Sequence, residues 1–412
     1  MGIRSLFSRL RERDGTKLDC VLLVVGCVLV FANSIPGGFV WDDIMLIVKN
    51  PFLGRSGDLA KLLTTPFLTR PGQVGAVFYR PMVFLTLFLD SLPLGRLPFV
   101  FHLANIVWHA ACTVLVYLVL RKLFASRGIA VVGGAIFALH PVHSESVAWI
   151  SGRTDLICGT FLLLALLMHL KHRESDGKGW YLPVAGISTA AAMFSKELAL
   201  AFPLLAALAD YVYMRGKRLA IRELARPYLV YAAAALLYAS VRTSALSAFA
   251  ASKASASPSP QVFAAAPFIE RLLGLPLNFW RYVEMLVWPS YARPFLYYKP
   301  MPFEWSAALA GSWAAFILVL VIVICFRRKH PALFFGAAWF GLTLLPASNL
   351  VQLPGTNMAE RFLYVPSVGF AAIAGWAFAA VFGEKVGGLR PRAQEHRLWP
   401  LGQHHEPVEG CS

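Results

Sequence analysis

Residues 130–170 read AVVGGAIFALHPVHSESVAWISGRTDLICGTFLLLALLMHL, and the contrast inside them determines the class of structure. Two almost purely apolar runs, 130–139 and 156–170, enclose a segment rich in ionisable side chains, 140–155. A helix crosses a bilayer with about 20 predominantly apolar residues, and a backbone in lipid must satisfy its own hydrogen bonds. The stretch therefore predicts two membrane helices joined by a polar segment at one membrane surface.

The same apolar pattern recurs along the whole chain. Of its 412 residues, 58% are hydrophobic and 15% are charged, whereas soluble domains have about 45–50% apolar and about 25% charged residues. Composition and pattern together predict an all-α polytopic membrane protein, a bundle of about ten transmembrane helices. The predicted spans are residues 18–36, 98–120, 128–142, 155–170, 180–194, 198–214, 227–246, 306–326, 331–348 and 362–382.

The net charge of +16 is concentrated in short basic clusters between apolar runs. In a soluble protein such a charge would indicate nucleic acid, but clusters on every second connection are typical of cytoplasmic loops. We therefore predict no nucleic acid partner and place both ends of the chain in the cytoplasm. The predicted organisation is a basic tail at 1–17, a transmembrane domain at 18–382 with outer loops at 37–97 and 247–305, and a disordered tail at 383–412.

Residues 269–290 do not fit a simple span. The segment is half-apolar but contains two glutamates and two arginines, and counting it as a crossing would move the basic cluster at 327–329 to the outer side. We therefore predict an interfacial or re-entrant helix on the outer face. The six cysteines are scattered without metal-ligand spacing, so we assign neither a disulfide nor a zinc site.

Most of the ionisable residues outside the basic clusters fall on the predicted outer face. Such residues near a membrane are usually paired or functional, because a charge at the bilayer centre costs about 2.5–3.5 kcal/mol. Each could also be a solvated loop acid, a helix cap, a snorkelling lysine or half of a local ion pair, but together they predict a shared polar cavity. They are Asp42, Asp43, His140, His143, Glu145, Arg153, Asp155, Lys196, Glu197, Glu360 and Arg361.

The spacing His-x-x-His with a nearby glutamate, residues 140–145, supplies ligand types that suit a divalent metal. Pro141 disfavours the regular helical placement that would bring the two histidines onto one face. We therefore expect these residues to line the cavity through hydrogen bonds, assign no metal, and leave a divalent requirement open.

Acids and bases together in an outer pocket reached from lipid suit a substrate with a hydrophobic tail and a charged head. Arg153, Lys196 and Arg361 could neutralise a phosphate. Asp42 or Asp43 could remove a proton from an acceptor hydroxyl, and a carboxylate can also stabilise the positive charge that develops during glycosyl transfer.

Several segments resemble the membrane region of the transmembrane and tetratricopeptide-repeat O-mannosyltransferases, which belong to the GT-C glycosyltransferases. These are FVWDD at 39–43, HPVHSESVAWISGRTDL at 140–156, FSKELAL at 194–200, NFWRYVEMLVWP at 278–289 and NMAERFLYVPSVGF at 357–370. The resemblance covers about residues 36–382 and is closest to bacterial relatives of that family.

The resemblance implies an enzyme that moves a sugar, mannose or a similar hexose, from a polyprenyl-phosphate donor to a hydroxyl, typically of a protein Ser or Thr. Asp42 and Asp43 match the catalytic acidic pair in the first outer loop. Arg153, Lys196 and Arg361, with the acids beside them, match motif positions where we expect the donor phosphate. No cofactor is implied beyond this substrate; the partners are the bilayer, the lipid-linked sugar and a protein or glycan acceptor.

The sequence departs from the family pattern after the membrane region. Family members carry tetratricopeptide repeats after the membrane region, and residues 383–412 show none, so we expect either that the repeats were lost or that the sequence is truncated. The alanine-rich composition and the short loops favour a bacterial inner membrane with the active face toward the periplasm, or the endoplasmic reticulum if the source is eukaryotic. The alternatives are a transporter or flippase of a lipid-linked anionic substrate, and a non-catalytic remnant.

Overall fold

The computed structural model describes residues 3–67, 78–175, 179–215, 220–252, 267–289, 306–348, 350 and 358–383. Within these ranges the chain forms helices and irregular segments and no β-strand, which confirms the all-α prediction. The helices are α1 Ile3–Phe31, α2 Leu59–Thr64, α3 Pro81–Leu94, α4 Pro98–Phe124, α5 Arg127–Leu139, α6 Ser144–Ala148, α7 Arg153–Glu174, α8 Tyr181–Met193, α9 Phe202–Tyr213, α10 Ile221–Ser252, α11 Phe268–Val287, α12 Ala307–Phe326, α13 Pro331–Leu344 and α14 Ser367–Val381. About half of the predicted loop 247–305, residues 253–266 and 290–305, and all but the first residue of the tail 383–412 lie outside the described residues.

Each of the ten predicted spans contains a helix, but among the described residues five helices are long and apolar enough to cross a membrane alone. They lie at Gly15–Ser34, Pro98–Phe124, Ile150–Glu174, Ile221–Ala248 and Ala307–Phe326. The helices in the other five spans have 12 to 15 residues and, at about 1.5 Å rise per residue, fall short of the hydrocarbon thickness of about 30 Å. The protein is thus a multi-pass membrane protein in which long and short helices are combined.

The short helices end where the sequence prevents their continuation. α5 stops at Leu139 for two reasons. His140 precedes a proline, which holds its backbone extended, and Pro141 has no amide hydrogen to continue the helix. After α8 the chain becomes irregular, and it turns helical again at α9, where a proline occupies the first turn. The two breaks, 140–152 and 194–201, carry many of the ionisable residues noted above.

The main core lies around α7, which packs against α4, α8 and α9. Its residues Leu156, Ile157 and Leu162 are buried on different sides of the helix, as expected for a helix that is apolar all round. By contrast, α1, α10 and α12 expose large apolar side chains such as Leu29 and Leu236, which suits contact with lipid. Polar residues near both ends of α7, among them Arg153, Asp155, His169 and Arg173, are therefore buried inside the protein.

The segment predicted to be the first outer loop, which we call the first outer segment, has a small core of its own. Leu46 and Leu53 pack with Phe84 and Leu87 of α3 and with Ile150 at the start of the long span. Arg96 fixes the segment by donating hydrogen bonds of 2.7–2.9 Å to three backbone carbonyls between residues 48 and 53. The segment thus forms an ordered cap over the end of α7.

The basic connections gather at the other end of the bundle. Lys122 in the last turn of α4 pairs with Glu174 at the end of α7, and Arg215 donates a 2.9 Å hydrogen bond to the carbonyl of Arg328. This grouping agrees with the prediction that these connections share one face; which face is cytoplasmic remains a prediction.

Near that end, Asp210 of α9 closes a buried network between α7 and α10. It accepts hydrogen bonds from His169 at 2.9 Å, Arg173 at 2.6 and 3.0 Å, and Tyr228 at 2.7 Å. A carboxylate among four such donors is fully satisfied, so the network serves packing between three helices.

The amphipathic segment predicted at 269–290 is α11, and it is not among the helices long and apolar enough to span a membrane. It packs on the first turns of α12, where Trp280 donates to the carbonyl of Ser312 and Trp313 donates to that of Leu273, both at 3.0 Å. The carbonyl of Leu286 lies 2.8 Å from Nε2 of His140, so α11 lies at the same end as the polar break.

One helix crossing depends on two glycines. A Cβ added to Gly369 of α14 would come within 2.2 Å of the Gly336 carbonyl of α13, which is closer than real contacts allow. Gly369→Ala should therefore separate the two helices and destabilise the protein by about 1–3 kcal/mol, as overpacking does. Gly341→Ala, on the same α13 with open space around it, is the matched control. Thermal unfolding in detergent checks this; equal midpoints for the two variants would contradict the close crossing.

Candidate active site

The two acids of the first outer segment have different surroundings. Asp43 is fully buried, and its carboxylate accepts hydrogen bonds from the Val40 amide at 3.1 Å, from the Ser151 amide at 2.9 Å and from the Ser151 hydroxyl. Burial raises the pKa of Asp43, and the hydrogen bonds from Ser151 oppose that rise. Asp42 is half-buried. The structure therefore leaves Asp42 as the more accessible acid of the pair.

Trp41, directly before the acids, has a left-handed backbone with φ of 48° and is 75% exposed. This conformation is costly for a large side chain, so the surroundings must hold it. Its ring meets Trp149 edge-on at 5.7 Å between centroids. We call the turn that carries Asp42 and Asp43 the acid-bearing turn. This ring contact and the Asp43–Ser151 hydrogen bonds together hold it against the break between α5 and α7.

Asn105 of α4 and Gly152 shape that break. The Asn105 amide donates to the carbonyls of Val147 and Trp149, both at 3.1 Å. A Cβ at Gly152 would lie 2.6 Å from the Glu145 carbonyl, so only glycine allows the chain to fold back on itself here. The break thus has one defined conformation, which holds Ser151 within hydrogen-bonding distance of Asp43.

Arg153 lies in an environment different from the predicted phosphate contact. Its guanidinium is fully buried and donates to Asn105 at 2.7 Å, to the Phe101 carbonyl at 2.8 Å and to the carboxylate of Asp90 on α3. All its nitrogens are used inside the protein. In this structure Arg153 connects α3, α4 and α7 rather than presenting its charge to a ligand.

Three other cations lie nearer the surface, each beside a carboxylate. Lys196 pairs with Asp155, Arg361 pairs with Glu145, and Arg80 donates to Glu197 at 2.8 Å. The side chains of these cations are between 11% and 20% exposed, so a ligand can reach them although most of each side chain is shielded from water.

Aromatic rings join two of these ion pairs, and the third, Arg80–Glu197, lies beside them because Glu197 directly follows Lys196 in the chain. Lys196 lies 5.4 Å from the centroid of Phe362, and Arg361 lies 5.1 Å from the same ring and 5.4 Å from Trp149. Cation–π contacts of this kind favour cations at partly desolvated sites. Through Trp149 the cluster reaches the acid-bearing turn. We call this set the outer cluster: Trp41, Asp42, Asp43, Arg80, Glu145, Trp149, Asp155, Lys196, Glu197, Arg361 and Phe362.

The two histidines of the break do not join the outer cluster. His140 caps the following turn by accepting from the Val142 amide at 3.1 Å, and its other ring nitrogen lies at the Leu286 carbonyl. His143 is buried between Phe137 and Tyr364 with Nε2 2.9 Å from the Ser367 hydroxyl, and burial lowers its pKa well below the usual value. Both surroundings favour a structural role.

Within the described residues, no group of three or more His, Cys, Asp or Glu side chains could hold a metal ion. Glu360 begins the short turn that carries Arg361 and is half-buried. Its position beside Arg361 is compatible with the predicted lining role, which stays a prediction.

Sequence reasoning missed Arg80, Asp90, His102 and Asn105. Asp90 lies alone inside the apolar run 81–94, and that isolation was a usable signal, because a lone acid in such a run needs a partner. His102 and Asn105 are spaced as neighbours on one face of α4, which indicates a polar row inside a membrane helix. Arg80 precedes a helix-starting proline and gives no comparable signal.

Fold and site together define a multi-pass, all-helical membrane protein with an acid pair, three paired cations and aromatic rings at one end of its bundle. A family model described as dolichyl-phosphate-mannose-protein mannosyltransferase matches residues 81–243. The chain is similar to the protein O-mannosyl-transferases, as the resemblance predicted.

Three curated relatives illustrate the likeness. A protein O-mannosyl-transferase of Caenorhabditis elegans is 27% identical over 86% of this chain and 50% of its own length. The protein O-mannosyl-transferases TMTC4 of Homo sapiens and TMTC3 of Mus musculus are each 28% identical, over 87% and 86% of this chain and 55% and 42% of their own lengths. The chain thus spans about half the length of these relatives. No solved structure matches.

Proposed function

We propose that this chain is a GT-C type glycosyltransferase that moves a sugar, mannose or a similar hexose, from a polyprenyl-phosphate donor to an acceptor hydroxyl. The acceptor is a protein Ser or Thr, and the reaction takes place on the periplasmic or lumenal face. The proposal is supported by the names of the relatives, and one observation carries it: segments 40–43, 145–155, 196–197 and 360–362 meet in a single outer cluster.

The parts of the cluster suit the parts of the reaction. Asp42, accessible beside the fixed Asp43, would take the proton of the acceptor hydroxyl as that oxygen attacks the anomeric carbon. Lys196, Arg361 and Arg80 would face the phosphate, which leaves with the electrons of the broken glycosidic bond. The exposed Trp41 and the neighbouring rings would cover the apolar face of a sugar. The lipid tail would lie along the exposed apolar helices.

The donor can be identified directly. The purified protein in proteoliposomes is given labelled polyprenyl-phosphate hexoses, one at a time, with a serine- and threonine-rich peptide. Label should move to the peptide from one donor and not from nucleotide sugars. Transfer from a nucleotide sugar, or none from every lipid donor, would count against the proposal.

Arg361→Ala should weaken donor binding roughly ten- to hundredfold, since a charge-assisted hydrogen bond contributes about 1.5–3 kcal/mol. Titrating labelled donor against purified protein measures this. Arg55→Ala is the matched control, because Arg55 lies exposed in the same outer region and outside the cluster. An unchanged dissociation constant in Arg361→Ala would remove this residue from the donor site.

One observation favours the transporter alternative. A transporter of a lipid-linked substrate would have interrupted helices around its site, and the breaks at 140–152 and 194–201 are such interruptions. A transporter would move the lipid-linked sugar between leaflets without an acceptor peptide. Measuring donor accessibility to an impermeant reagent in proteoliposomes, with and without peptide, separates the two functions.

A further inference from the structure

Cations from two separate parts of the chain meet at the end of the bundle that carries the basic connections. Arg215 follows α9, and Arg328 and Lys329 lie in the turn between α12 and α13. The guanidinium of Arg215 donates a 2.9 Å hydrogen bond to the carbonyl of Arg328, so the first cation lies directly on the turn that carries the other two. All three residues are exposed. We call this set the basic patch.

The basic patch has no counter-charge among the described residues. Its three side chains take part in none of the ion pairs there, and Glu174 and Asp210, two acids near this end, are bound to Lys122 and Arg173. In the outer cluster, by contrast, each of the three cations has a carboxylate. Like charges held together without a counter-charge repel one another. The basic patch therefore suits an anionic ligand.

The basic patch lies where a lipid headgroup would lie. α12 is one of the helices long and apolar enough to cross a membrane, and it ends at Phe326, directly before the turn at 327–329. Ile317, Val321 and Ile324 of α12 are exposed and, at spacings of four and three residues, lie on one face of the helix. An exposed apolar face that ends beside cations matches a ligand with a charged head and hydrocarbon chains.

Two further contacts hold the basic patch in place. The rings of Tyr211 on α9 and Phe334 on α13 lie 5.3 Å apart and join these two helices. Arg327, the first residue of the turn, donates a 2.6 Å hydrogen bond to the Ile324 carbonyl and so closes the end of α12. The position of Arg215 relative to the turn is thus set by packed helices.

We propose that the basic patch binds the phosphate of an anionic phospholipid from the surrounding bilayer, with the acyl chains along the exposed face of α12. A guanidinium binds a phosphate through two parallel hydrogen bonds, and a lysine adds a single positive charge. The bound headgroup would offset the repulsion between the cations and link α9 to the turn. Clustered cations can also serve only to orient the chain during insertion, but that role implies no choice between headgroups in the folded protein. The inference does not depend on the proposed function.

Binding of a fluorescent phosphatidylglycerol to the purified protein in neutral detergent, followed by fluorescence anisotropy, tests the proposal. Each cation near a lipid surface favours negative charge by about fivefold, so phosphatidylcholine with the same acyl chains should compete at least about tenfold more weakly than unlabelled phosphatidylglycerol. Added salt should also weaken binding of the probe. Equal competition by the two lipids, or binding that salt leaves unchanged, would overturn the proposal. These measurements need no variant, so they remain decisive if a variant fails to fold.

Arg215→Gln/Arg328→Gln should weaken binding of the probe about twenty- to thirtyfold, the product of two such factors. Arg222→Gln/Arg226→Gln is the matched control: it removes the same charge from exposed positions at the start of α10, which lies at the same end of the bundle, and should bind nearly as well as the unmodified protein. Equal losses in the two double variants would indicate general attraction by this end of the protein and reject the basic patch as a site.

Two more competitors identify the source of the phosphate. Inorganic phosphate at the same concentration should not displace the probe, because it has no hydrocarbon chains to lie along α12. Displacement by it would assign the basic patch to a free anion and contradict the lipid assignment. A polyprenyl monophosphate that displaced the probe more strongly than phosphatidylglycerol would make the patch a site for that lipid, and the assignment to a bilayer phospholipid would be wrong.

Discussion

Asp42→Asn should lower sugar transfer by about 10²–10⁴-fold, the usual contribution of a general base. Asparagine keeps the size and polarity of the side chain but cannot accept the hydroxyl proton. Asp43 accepts its hydrogen bonds from Val40 and Ser151, so the substitution at Asp42 breaks none of them. The loss should therefore appear in kcat, with donor binding little changed.

The measurement is transfer of labelled sugar in proteoliposomes, with donor titration in parallel. Asp58→Asn is the matched control: Asp58 belongs to the same outer region and pairs at 2.9 Å with the exposed Lys61 on α2, away from the outer cluster. Transfer at the unmodified rate in Asp42→Asn would exclude this carboxylate as the base. Loss in Asp43→Asn alone would instead identify the buried acid.

Arg153→Met should destabilise the protein by about 3–5 kcal/mol, because removing one partner of a buried ion pair leaves the other uncompensated. The side chain of Arg153 is 0% exposed and that of Asp90 is 18% exposed, so water can relieve little of this cost. Asn105 and the Phe101 carbonyl also lose donors. The free energy of unfolding, measured in mixed detergent micelles by titration with a denaturing detergent, reports the effect.

The double variant Arg153→Met/Asp90→Leu distinguishes an ion pair from simple packing. With both charges removed, much of the lost stability should return, since an apolar pair of similar volume often replaces a buried ion pair at little cost. Lys61→Met, which breaks the exposed pair with Asp58, should cost at most about 1 kcal/mol. Additive losses in the double variant would show that Arg153 and Asp90 act independently.

The sequence was sufficient to predict which segments meet. Hydropathy predicted helices in the ten spans, and the polar blocks beside Asp43, Glu145, Lys196 and Arg361 do contact one another. Alternation of basic and non-basic connections was enough to place these blocks at one end, because consecutive spans reverse direction. Roles in catalysis remain predictions for all of these residues.

The sequence could not show which polar residues are internal. Arg153 and Lys196 look equivalent as cations in polar breaks, yet Arg153 is enclosed by α3 and α4 while Lys196 lies near the surface. That difference depends on Asp90, whose partner is 63 residues away in the chain. The lengths of the short helices were overestimated, because hydropathy averages across breaks such as His140–Pro141 without detecting them: the spans predicted at 198–214 and 362–382 contain only Phe202–Tyr213 and Ser367–Val381 as helix. The long helices α4, α7 and α10 extend beyond their predicted spans.

The pairing of the three cations of the outer cluster has a consequence for turnover. Arg80, Lys196 and Arg361 carry three positive charges, and Glu197, Asp155 and Glu145 balance them. With the proposed donor, a phosphodiester with one negative charge would become a lipid monophosphate with up to two. An excess of positive charge would retain that product strongly, whereas a balanced set releases it, so the spent lipid can leave and the next donor can enter.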